Sequence, residues 1–443
     1  MTKEELKKKK IGVVSLGCDK NRVDTEKMLA ILEDAGYAIT NDENEADVLI
    51  INTCAFIEKS REESIDEILR AGEAKKSGKA QKVIVTGCLP QKFVGDLLSY
   101  LPEADAFLGV SDYENLPDVI ERVYNGERVN AVGAPRKECG IKRVKTTKDY
   151  AYLKIADGCS NHCTYCLIPA IRGKYRSVPK EDLIAEAKGL GRVSELILVA
   201  QDVTKYGEDL EKKSSLPDLI RSLSALDNVE GIRLLYCYPE NITDELIREL
   251  NGNAKMIRYL DIPLQHADDR VLKRMNRKGT GAGYLALIEK LKREVPGIAV
   301  RSTFMTGFPG ETEEEFENLL DFLRRAKLFN AGFFAYSKEE GTPSYKMEDD
   351  VPKRVKTARL KKLYSEQKKV VKGLLKEMVG NIYSVKAEGF DEEMMVYYGR
   401  AYFNAPDVDG KIYFFSDDEV EYGKNYNVKI TKFTDFDLYG ERL

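Results

Sequence analysis

The sequence predicts an α/β protein of three consecutive units: an N-terminal parallel-sheet α/β domain, a central partial (β/α)6 barrel and a small antiparallel β-barrel. Three observations predict this fold class. Apolar strands alternate with helical patterns near the N-terminus, the alternation resumes with about six more strands, and the last residues change to short β-rich runs. The chain has 443 residues, whereas one domain usually holds about 100–200. We therefore expect domains at 1–134, 149–377 and 378–443, with a basic linker at 135–148.

The N-terminal domain is predicted from three apolar strands, at residues 11–17, 47–53 and 82–87. Helical spacing predicts a helix over residues 24–35, between the first two strands. Ser60 and Glu63 form a capping-box pattern, which predicts that the next helix begins at Ser60. Continuous apolar strands separated by helices are typical of a parallel sheet that helices cover on both faces.

The central barrel is predicted from six strands, near residues 152–156, 195–200, 232–238, 257–262, 298–304 and 332–336. Because a closed barrel of this type has eight strands, six predict an open one. Residues 352–376 then read as one long helix, with ten basic residues and one acidic residue. We interpret it as a packed helix with a solvated face; the alternative is a basic surface that faces a ribosome or RNA.

The composition excludes several classes of protein. The net charge is −4, so the chain as a whole is no basic nucleic-acid coat, and no apolar run approaches the 18–20 residues or so that span a bilayer. The N-terminus lacks the apolar region of a signal peptide, so we expect a cytoplasmic protein without a membrane partner. Eight cysteines in a chain of this length are too few for a disulfide scaffold and are expected to be thiols or metal ligands.

Three of these cysteines, Cys159, Cys163 and Cys166, follow the first barrel strand with the spacing C-x3-C-x2-C. Structural zinc needs four ligands, usually in two separated pairs, and a disulfide is improbable in the cytosol. Three thiolates instead suit three irons of a [4Fe–4S] cluster and leave the fourth iron open. That open iron suits the amino and carboxylate groups of S-adenosylmethionine, whose cleavage would produce a 5′-deoxyadenosyl radical.

A second set of three cysteines lies in the N-terminal domain. Cys18, Cys54 and Cys88 each stand at the C-terminal end of one predicted strand. Those strand ends share one edge of a parallel sheet, where ligands bind, so a second three-cysteine cluster is possible there. A lone cysteine at a strand end is usually a small buried hydrophobe, and we interpret Cys139 and Cys237 in that way.

Other candidate site residues follow barrel strands, where barrel active sites lie. They are Gln201 and Asp202 after strand two, Gln265 after strand four, and Gly307 and Gly310 after strand five. Thr312, with Glu315 three residues on, predicts the cap of the following helix. His162 lies between the cluster cysteines and is interpreted as a loop residue, whereas a site role and a structural role both stay open for His266.

Taken together, the sequence resembles the methylthiotransferases, a branch of the radical S-adenosylmethionine superfamily, from about Ile11 to the C-terminus. The stretches SLGCDKNRVDTE, IPAIRGKYRS, DIPLQHADDRVLKRM and YSKEEGT resemble the RimO branch, whose members modify an aspartate of ribosomal protein S-twelve. The branch that modifies adenosine in tRNA typically has serine–glycine in place of Gln265-His266 and Arg-Pro in place of Glu339-Glu340. Asp19 and Val178 depart from the family pattern, which has proline and arginine there.

The resemblance implies an N-terminal methylthiotransferase domain, a radical core and a TRAM barrel. It implies two [4Fe–4S] clusters, one on Cys159, Cys163 and Cys166 as the catalytic set and one on Cys18, Cys54 and Cys88 that delivers sulfur. S-adenosylmethionine would be both radical source and methyl donor, held by Gln201, Asp202, Gln265, Gly307 and Gly310. An electron donor such as flavodoxin or ferredoxin is expected.

The charge of the tail bears on the substrate. Residues 378–443 hold seven basic and thirteen acidic residues, a net charge of −6. A barrel that binds tRNA should be basic to neutralise phosphates, whereas an acidic barrel would attract a basic ribosomal protein. Ribosomal protein S-twelve, or the small ribosomal subunit, is therefore the expected partner, with adenosine of tRNA as the alternative substrate.

Overall fold

The structure, a computed structural model, describes residues 2–136, 142–211 and 214–443; Cys139 and part of the expected linker lie outside these ranges. The N-terminal domain is one six-stranded parallel sheet with the strand order β2-β1-β3-β4-β5-β6. Its strands are β1 (Lys10–Ser15), β2 (Ala38–Thr40), β3 (Val48–Thr53), β4 (Lys82–Gly87), β5 (Ala106–Leu108) and β6 (Val129–Ala131). Its helices are α1 (Lys3–Lys7), α2 (Asp19–Asp34), α3 (Glu58–Lys76), α4 (Cys88–Tyr100) and α5 (Leu116–Tyr124).

The parallel sheet confirms the prediction, but two helix starts differ from it. Helix α2 begins at Asp19, five residues early, because polar residues of its first turns, such as Asn21, are buried against the next domain instead of facing solvent. The prediction that Ser60 caps the next helix is wrong. Helix α3 begins at Glu58 with Ile57 as its cap, and the Ser60 carbonyl, already inside the first turn, accepts a hydrogen bond from Ser64 at 2.8 Å.

The central domain is the predicted open barrel, with six parallel strands in the order β14-β13-β12-β11-β10-β7. The barrel strands are β7 (Tyr150–Lys154), β10 (Glu195–Val199), β11 (Ile232–Leu234), β12 (Met256–Asp261), β13 (Ala299–Thr306) and β14 (Asn330–Ala335). A separate antiparallel pair, β8 (Ala156–Asp157) and β9 (Arg176–Ser177), lies at the carboxyl end of β7. This pair brackets the segment that contains the three clustered cysteines.

Helices flank the barrel strands. They are α6 (Ile168–Arg172), α7 (Lys180–Gly189), α8 (Leu216–Ser224), α9 (Asp244–Gly252), α10 (Asp269–Arg274), α11 (Gly281–Glu294), α12 (Glu313–Ala326) and α13 (Lys353–Met378). Among them, α6 packs against α4 of the N-terminal domain. The cap of α12 at Thr312, with its reciprocal bond to Glu315, is as predicted. The long basic helix α13 packs through Leu363, Val371 and Leu375 and exposes most of its lysines. No helix within the described ranges has the length and apolarity that a bilayer crossing requires.

The C-terminal unit is a closed five-stranded barrel, as expected. Its strands are β15 (Ile382–Asp391), β16 (Val396–Arg400), β17 (Ile412–Phe415), β18 (Asn425–Thr434) and β19 (Asp437–Arg442). It sits at the amino ends of the barrel strands, where Arg400 pairs with Glu195 at 3.3 Å and Asp409 accepts a hydrogen bond from the Tyr259 hydroxyl at 2.7 Å. One apolar core is continuous between them. The carboxyl ends of the barrel strands remain for the candidate site.

Helix α2 joins the N-terminal domain to the barrel beside β7, the first barrel strand. Val23 enters the core that the two barrels share, and the Tyr236 hydroxyl donates a hydrogen bond to Asp19 at 2.9 Å. At the other edge of the open barrel, just after the carboxyl end of β14, Arg61 of α3 forms an ion pair with the buried Glu339. The sheet edge with Cys18, Cys54 and Cys88 therefore faces the barrel domain.

Candidate functional site

The sheet edge of the N-terminal domain positions Cys18, Cys54 and Cys88. Cys18 is the N-cap of α2, Cys54 follows β3, and Cys88 is the first residue of α4. Because β1, β3 and β4 are neighbours in register, their carboxyl ends lie side by side. The predicted convergence follows from this topology. Burial raises the pKa of Cys54, and Cys18 is near enough to raise it further.

Two glycines make room for these thiols. Gly17 has φ +88°, and a Cβ there would lie 2.7 Å from Cys54 Cβ and 3.0 Å from its Sγ. Gly87 has φ +98°, and a Cβ there would lie 2.6 Å from the Thr53 carbonyl oxygen. Both positions need a left-handed backbone and close approach, which only glycine allows without strain. The sheet edge thus brings the three cysteines together at glycine turns.

Burial dominates the electrostatics of this triad. It raises the pKa of Cys54, and it raises the pKa of Cys88 to about 12 against the opposing effect of Arg172. Cys18 and Cys88 also lie at the N-termini of α2 and α4, where the positive end of the helix dipole favours a thiolate. The site therefore disfavours free thiolates in a dry pocket yet carries positive elements that would stabilise thiolates bound to a cation.

The other triad, Cys159, Cys163 and Cys166, lies on a single loop. Cys159 donates its backbone N–H to the Gly173 carbonyl at 3.0 Å, and Cys166 donates to Cys163 at 3.1 Å. The loop begins at Gly158, which has φ +76°. A side chain does not fit at this position, because a Cβ would lie 2.7 Å from the Gly173 carbonyl oxygen and still closer to the Lys174 carbonyl oxygen. All three cysteines are half-buried, and burial raises the pKa of Cys166 to about 12.

All seven cysteines that the structure describes are free thiols. In the same residues no group of three or more His, Cys, Asp or Glu side chains is arranged to hold a single metal ion. A [4Fe–4S] cluster makes a different demand, because each thiolate binds its own iron atom. Two sets of three free thiols on glycine turns fit such clusters in donor chemistry. Cys237 is fully buried in the apolar core of the barrel, as interpreted.

Buried charges connect the two triads. The Arg172 guanidinium contacts Cys88 Sγ at 3.7 Å and donates to Asp157 at 2.9 Å, one residue before Gly158. The same guanidinium donates to Asn21 at 2.7 Å and Asp24 at 3.1 Å on α2. Sequence reasoning missed this network. Its only signal was the position of charged residues inside apolar runs, such as the arginine in IPAIRG.

The residues predicted after barrel strand two occupy different environments. Gln201 donates its Nε2 to Asp157 at 2.9 Å, while its buried Oε1 has no hydrogen-bond partner. Asp202 is fully buried and accepts hydrogen bonds from Asn161 at 3.0 Å and from the Thr204 backbone N–H at 3.1 Å. Asp202 therefore holds the cysteine loop through Asn161, whereas Gln201 has an acceptor left for a ligand.

Gln265 has an unusual backbone, with φ +71°, and its buried Oε1 also has no hydrogen-bond partner. His266 beside it is fully buried, 3.1 Å from Glu311, and it accepts the Asp268 backbone N–H at 3.0 Å. Glu311 also accepts the backbone N–H of Gly307. His266 therefore helps to hold the glycine loop, which is a structural role, and the exposed His162 is a loop residue as interpreted.

Both glycines of that loop have a left-handed backbone conformation. Gly307, with φ +74°, faces Lys356 of α13, whose Cδ would lie 2.9 Å from an added Cβ. Gly310, with φ +73°, donates its backbone N–H to Asp350 at 2.8 Å. Neither contact tests the expected binding of S-adenosylmethionine, so the predicted cofactor contacts of the two glycines stay predictions.

Known families match each of the three units. Residues 10–109 match the Uncharacterized protein family UPF0004, residues 153–323 the Radical SAM superfamily and residues 379–443 the TRAM domain. The ribosomal protein uS12 methylthiotransferase RimO of Lachnoclostridium phytofermentans is 48% identical over 436 residues, which cover 97% of this chain and 99% of the relative. The protein of that name from a Thermoanaerobacter species is 46% identical, over 98% of this chain and 100% of its own.

Solved structures resemble the chain in fold. The radical S-adenosylmethionine methyltransferase TsrM of Kitasatospora setae, solved with cobalamin and a [4Fe–4S] cluster bound, superposes with a TM-score of 0.56. It is 16% identical, and the match covers 76% of this chain and 77% of TsrM. The cobalamin-dependent radical enzyme OxsB gives a TM-score of 0.52 at 13% identity, over 86% of this chain and 63% of OxsB. At these identities the likeness concerns the fold alone.

Proposed function

The chain belongs to the RimO family of radical S-adenosylmethionine methylthiotransferases, and on this premise we propose that it methylthiolates the β-carbon of an aspartate in ribosomal protein uS12. Relatives of that name are 43–48% identical over nearly the whole chain. The structural observation that carries the proposal is the meeting of two cysteine triads on adjacent domains, connected through Arg172 and Asp157. We expect the activity in the cytoplasm, where ribosomes are assembled.

Cys159, Cys163 and Cys166 would hold one [4Fe–4S] cluster, and Cys18, Cys54 and Cys88 a second. When bound, the first supplies the electron that cleaves S-adenosylmethionine to a 5′-deoxyadenosyl radical, and the second supplies sulfur. The chain's own contribution is placement. The pair β8 and β9 fixes both ends of the first loop, and the register of β1, β3 and β4 fixes the second site. An electron donor such as flavodoxin or ferredoxin would serve it.

The proposed site for S-adenosylmethionine is the carboxyl end of the barrel. Gln201 and Gln265 each have a buried amide oxygen without a hydrogen-bond partner, and a buried acceptor of this kind is costly unless a donor fills it. The amino and hydroxyl groups of S-adenosylmethionine are such donors. Gly307 and Gly310 would let the backbone approach the ligand. Asp202 would not contact the ligand but would hold Asn161 in the cysteine loop.

The chemistry of the substrate explains the need for a radical. The β-carbon of aspartate carries C–H bonds that no side-chain base of ordinary pKa removes at useful rates, so proton abstraction is a poor route. Exclusion of water from the barrel mouth would protect a reactive radical from side reactions. The C-terminal barrel and α2 close the barrel at the amino end and beside β7, and so leave the carboxyl end for the substrate.

We further propose that Lys20 binds the carboxylate of the target aspartate. Its ammonium lies 3.3 Å from the centroid of the Tyr236 ring, at the carboxyl end of β11, and the residue is 7% exposed. Within the described residues no carboxylate pairs with it, although a buried ammonium ordinarily has such a partner. Lys20 is also only two residues from Cys18. A substrate carboxylate would supply the missing counter-charge next to the proposed sulfur source.

The acidic C-terminal barrel supports a protein substrate over tRNA. Its net charge of −6 would repel phosphates and attract a basic ribosomal protein. Mass spectrometry of ribosomal protein uS12 and of tRNA from cells lacking the gene tests the proposal. Loss of the methylthio group from uS12 with tRNA modification intact is the expected result. Loss of methylthiolated adenosine with uS12 unchanged would contradict the proposed substrate and favour the tRNA alternative.

A further inference from the structure

Arg172 is a fully buried cation at the interface between the N-terminal domain and the central barrel. It is the last residue of α6, and its side chain is 2% exposed. One Nη atom donates to Asp157 at 2.9 Å, while the other donates to Asn21 at 2.7 Å and Asp24 at 3.1 Å and contacts Cys88 Sγ at 3.7 Å. A single guanidinium therefore touches both domains, contacts Cys88 of one cysteine site and holds Asp157, two residues before Cys159 of the other.

The charges around Arg172 balance without the thiol. Lys154 of β7 forms an ion pair with Asp24 and lies 3.6 Å from Asp157, so two cations and two carboxylates make a buried quartet. Burial of a guanidinium is unfavourable unless its N–H groups are all directed at acceptors, and the planar fork of arginine suits several acceptors at once. The contact with Cys88 is therefore an additional interaction that the carboxylates alone do not require.

We propose that Arg172 is a positioning residue for the second cluster, donating a charge-assisted N–H···S hydrogen bond to Cys88 and making that cluster easier to reduce. The proposal rests on the proposed function, because it needs a cluster on Cys18, Cys54 and Cys88. The other end of the same guanidinium holds Asp157, which accepts the Gly158 backbone N–H at 2.8 Å and so fixes the start of the Cys159 loop. Arg172 thereby sets the position of each site relative to the other.

The direction of the effect follows from charge. Reduction adds an electron to the cluster, and a nearby cation with an N–H directed at a ligand sulfur stabilises the more negative state. Removal of that cation should therefore lower the reduction potential of the second cluster. A residue with a merely structural role would change the stability of the fold without changing this potential.

The test uses the full chain with Cys159→Ala, Cys163→Ala and Cys166→Ala, so that only the second site can bind a cluster. Iron content and the midpoint potential, from a dithionite titration followed by electron paramagnetic resonance, are compared with and without Arg172→Gln. The matched control is Arg143→Gln. Arg143 is equally buried at the same interface and pairs with Glu26 and Glu186 at 3.1 Å, and it contacts no cysteine among the residues that the structure describes.

We expect Arg172→Gln to lower the potential by about 59 mV or more, which is a tenfold change in a one-electron equilibrium, while Arg143→Gln leaves it unchanged. Loss of the second cluster from Arg172→Gln alone would also support the positioning role. Equal iron contents and equal potentials in both variants would overturn the role of Arg172 and leave the proposed function intact. A parent variant that binds no iron would instead contradict the second cluster itself.

A folding defect in Arg172→Gln does not prevent the test. Arg172→Lys keeps a cation for Asp157 and Asp24, but its single nitrogen cannot occupy the positions of both Nη atoms, one of which donates to Asp157 and the other of which contacts Cys88 Sγ. It is expected to fold and to lower the potential in the same direction by a smaller factor. A potential identical to that of the parent variant would overturn the hydrogen bond to Cys88.

Discussion

The two cysteine triads are assembled from different parts of the fold. Cys159, Cys163 and Cys166 share one short loop at the barrel mouth and are all half-buried, whereas Cys18, Cys54 and Cys88 come from three strand ends and two of them are buried. Local sequence builds the first site, and sheet topology builds the second. The difference matches the proposed division of labour, because the first site must admit S-adenosylmethionine and the second must hold sulfur.

The two triads also differ in the groups that hold them in place. The loop of the first triad is held by backbone hydrogen bonds and by Asn161, which donates to Asp202 at 3.0 Å. The second triad has a buried cation, Arg172, against Cys88 and helix N-termini at Cys18 and Cys88. A site built on a rigid sheet with fixed charges tolerates little change in geometry. We therefore expect substitutions to separate the two sites cleanly.

The largest expected effect is the loss of the first site. Cys163→Ala removes one of three thiolates that an open cluster needs, so formation of 5′-deoxyadenosine should fall to background, which liquid chromatography of the nucleoside measures. Cys237→Ala is the matched control, since Cys237 is a buried free thiol of the barrel core. Cleavage of S-adenosylmethionine at an undiminished rate by Cys163→Ala would refute the assignment of this triad.

Glycine substitutions should break one site at a time. Gly17→Ala places a Cβ 2.7 Å from Cys54 Cβ at φ +88°, with strain of about 1–3 kcal/mol, and should remove iron from the second site while cleavage of S-adenosylmethionine continues. Gly158→Ala should do the reverse, because its Cβ would meet the carbonyls of Gly173 and Lys174. Iron content and 5′-deoxyadenosine yield distinguish the two.

Gly95→Ala is the control for both glycine variants. Gly95 lies in α4 with open space where a Cβ would stand, so alanine there should leave iron content unchanged and stabilise the fold by up to about 1 kcal/mol. Equal losses of iron in Gly17→Ala and Gly95→Ala would show that the turn before Cys18 has no special role.

A smaller effect is expected at Lys20, which would act on the substrate and on neither cluster. Lys20→Met should weaken binding of a uS12 peptide that carries the target aspartate about tenfold, or about 1.4 kcal/mol, as measured by calorimetry without oxygen. The same peptide with asparagine in place of the aspartate should bind both proteins equally. Lys59→Met, at an exposed position on α3, serves as control. An unchanged preference for aspartate in Lys20→Met would exclude the proposed contact.

The smallest effect on either site is expected from Glu195, beneath the barrel. Burial raises the pKa of Glu195, but Arg233 and Arg400 lower it more, to about 2. Because this value lies below the unfolded value of 4.5, the carboxylate stabilises the fold above pH 4.5, and the stabilisation is lost as the pH falls toward 2. This loss of stabilisation lowers the free energy of unfolding by about 3 kcal/mol.

Thermal unfolding of the wild type and of Glu195→Gln between pH 5 and about 2.5 checks this linkage. The difference in melting temperature should shrink as the pH falls, while Glu73→Gln, at an exposed position, should show none at any pH. A difference that stays constant with pH would place the stabilising effect elsewhere than on the ionised carboxylate.

Features that depend on local spacing or on a repeated strand–helix pattern could be predicted from the sequence. The spacing of Cys159, Cys163 and Cys166 predicts the first site directly, and the strand ends predict that Cys18, Cys54 and Cys88 converge once a parallel sheet is assumed. The sequence could not reveal Arg172, because its contacts with Asn21, Asp24 and Cys88 join residues 84 to 151 positions apart. Tertiary packing also overrode the local signal at Ser60 and extended α2 to Asp19, where polar residues face a second domain.

The division of labour between the two triads is tested most directly by Cys54→Ala. The variant should form 5′-deoxyadenosine from S-adenosylmethionine and hold about half the iron of the wild type, since only the loop site remains complete. Mass spectrometry should then find no methylthio group on a uS12 peptide incubated with it. Methylthiolated peptide from this variant, with a single cluster present, would contradict the account.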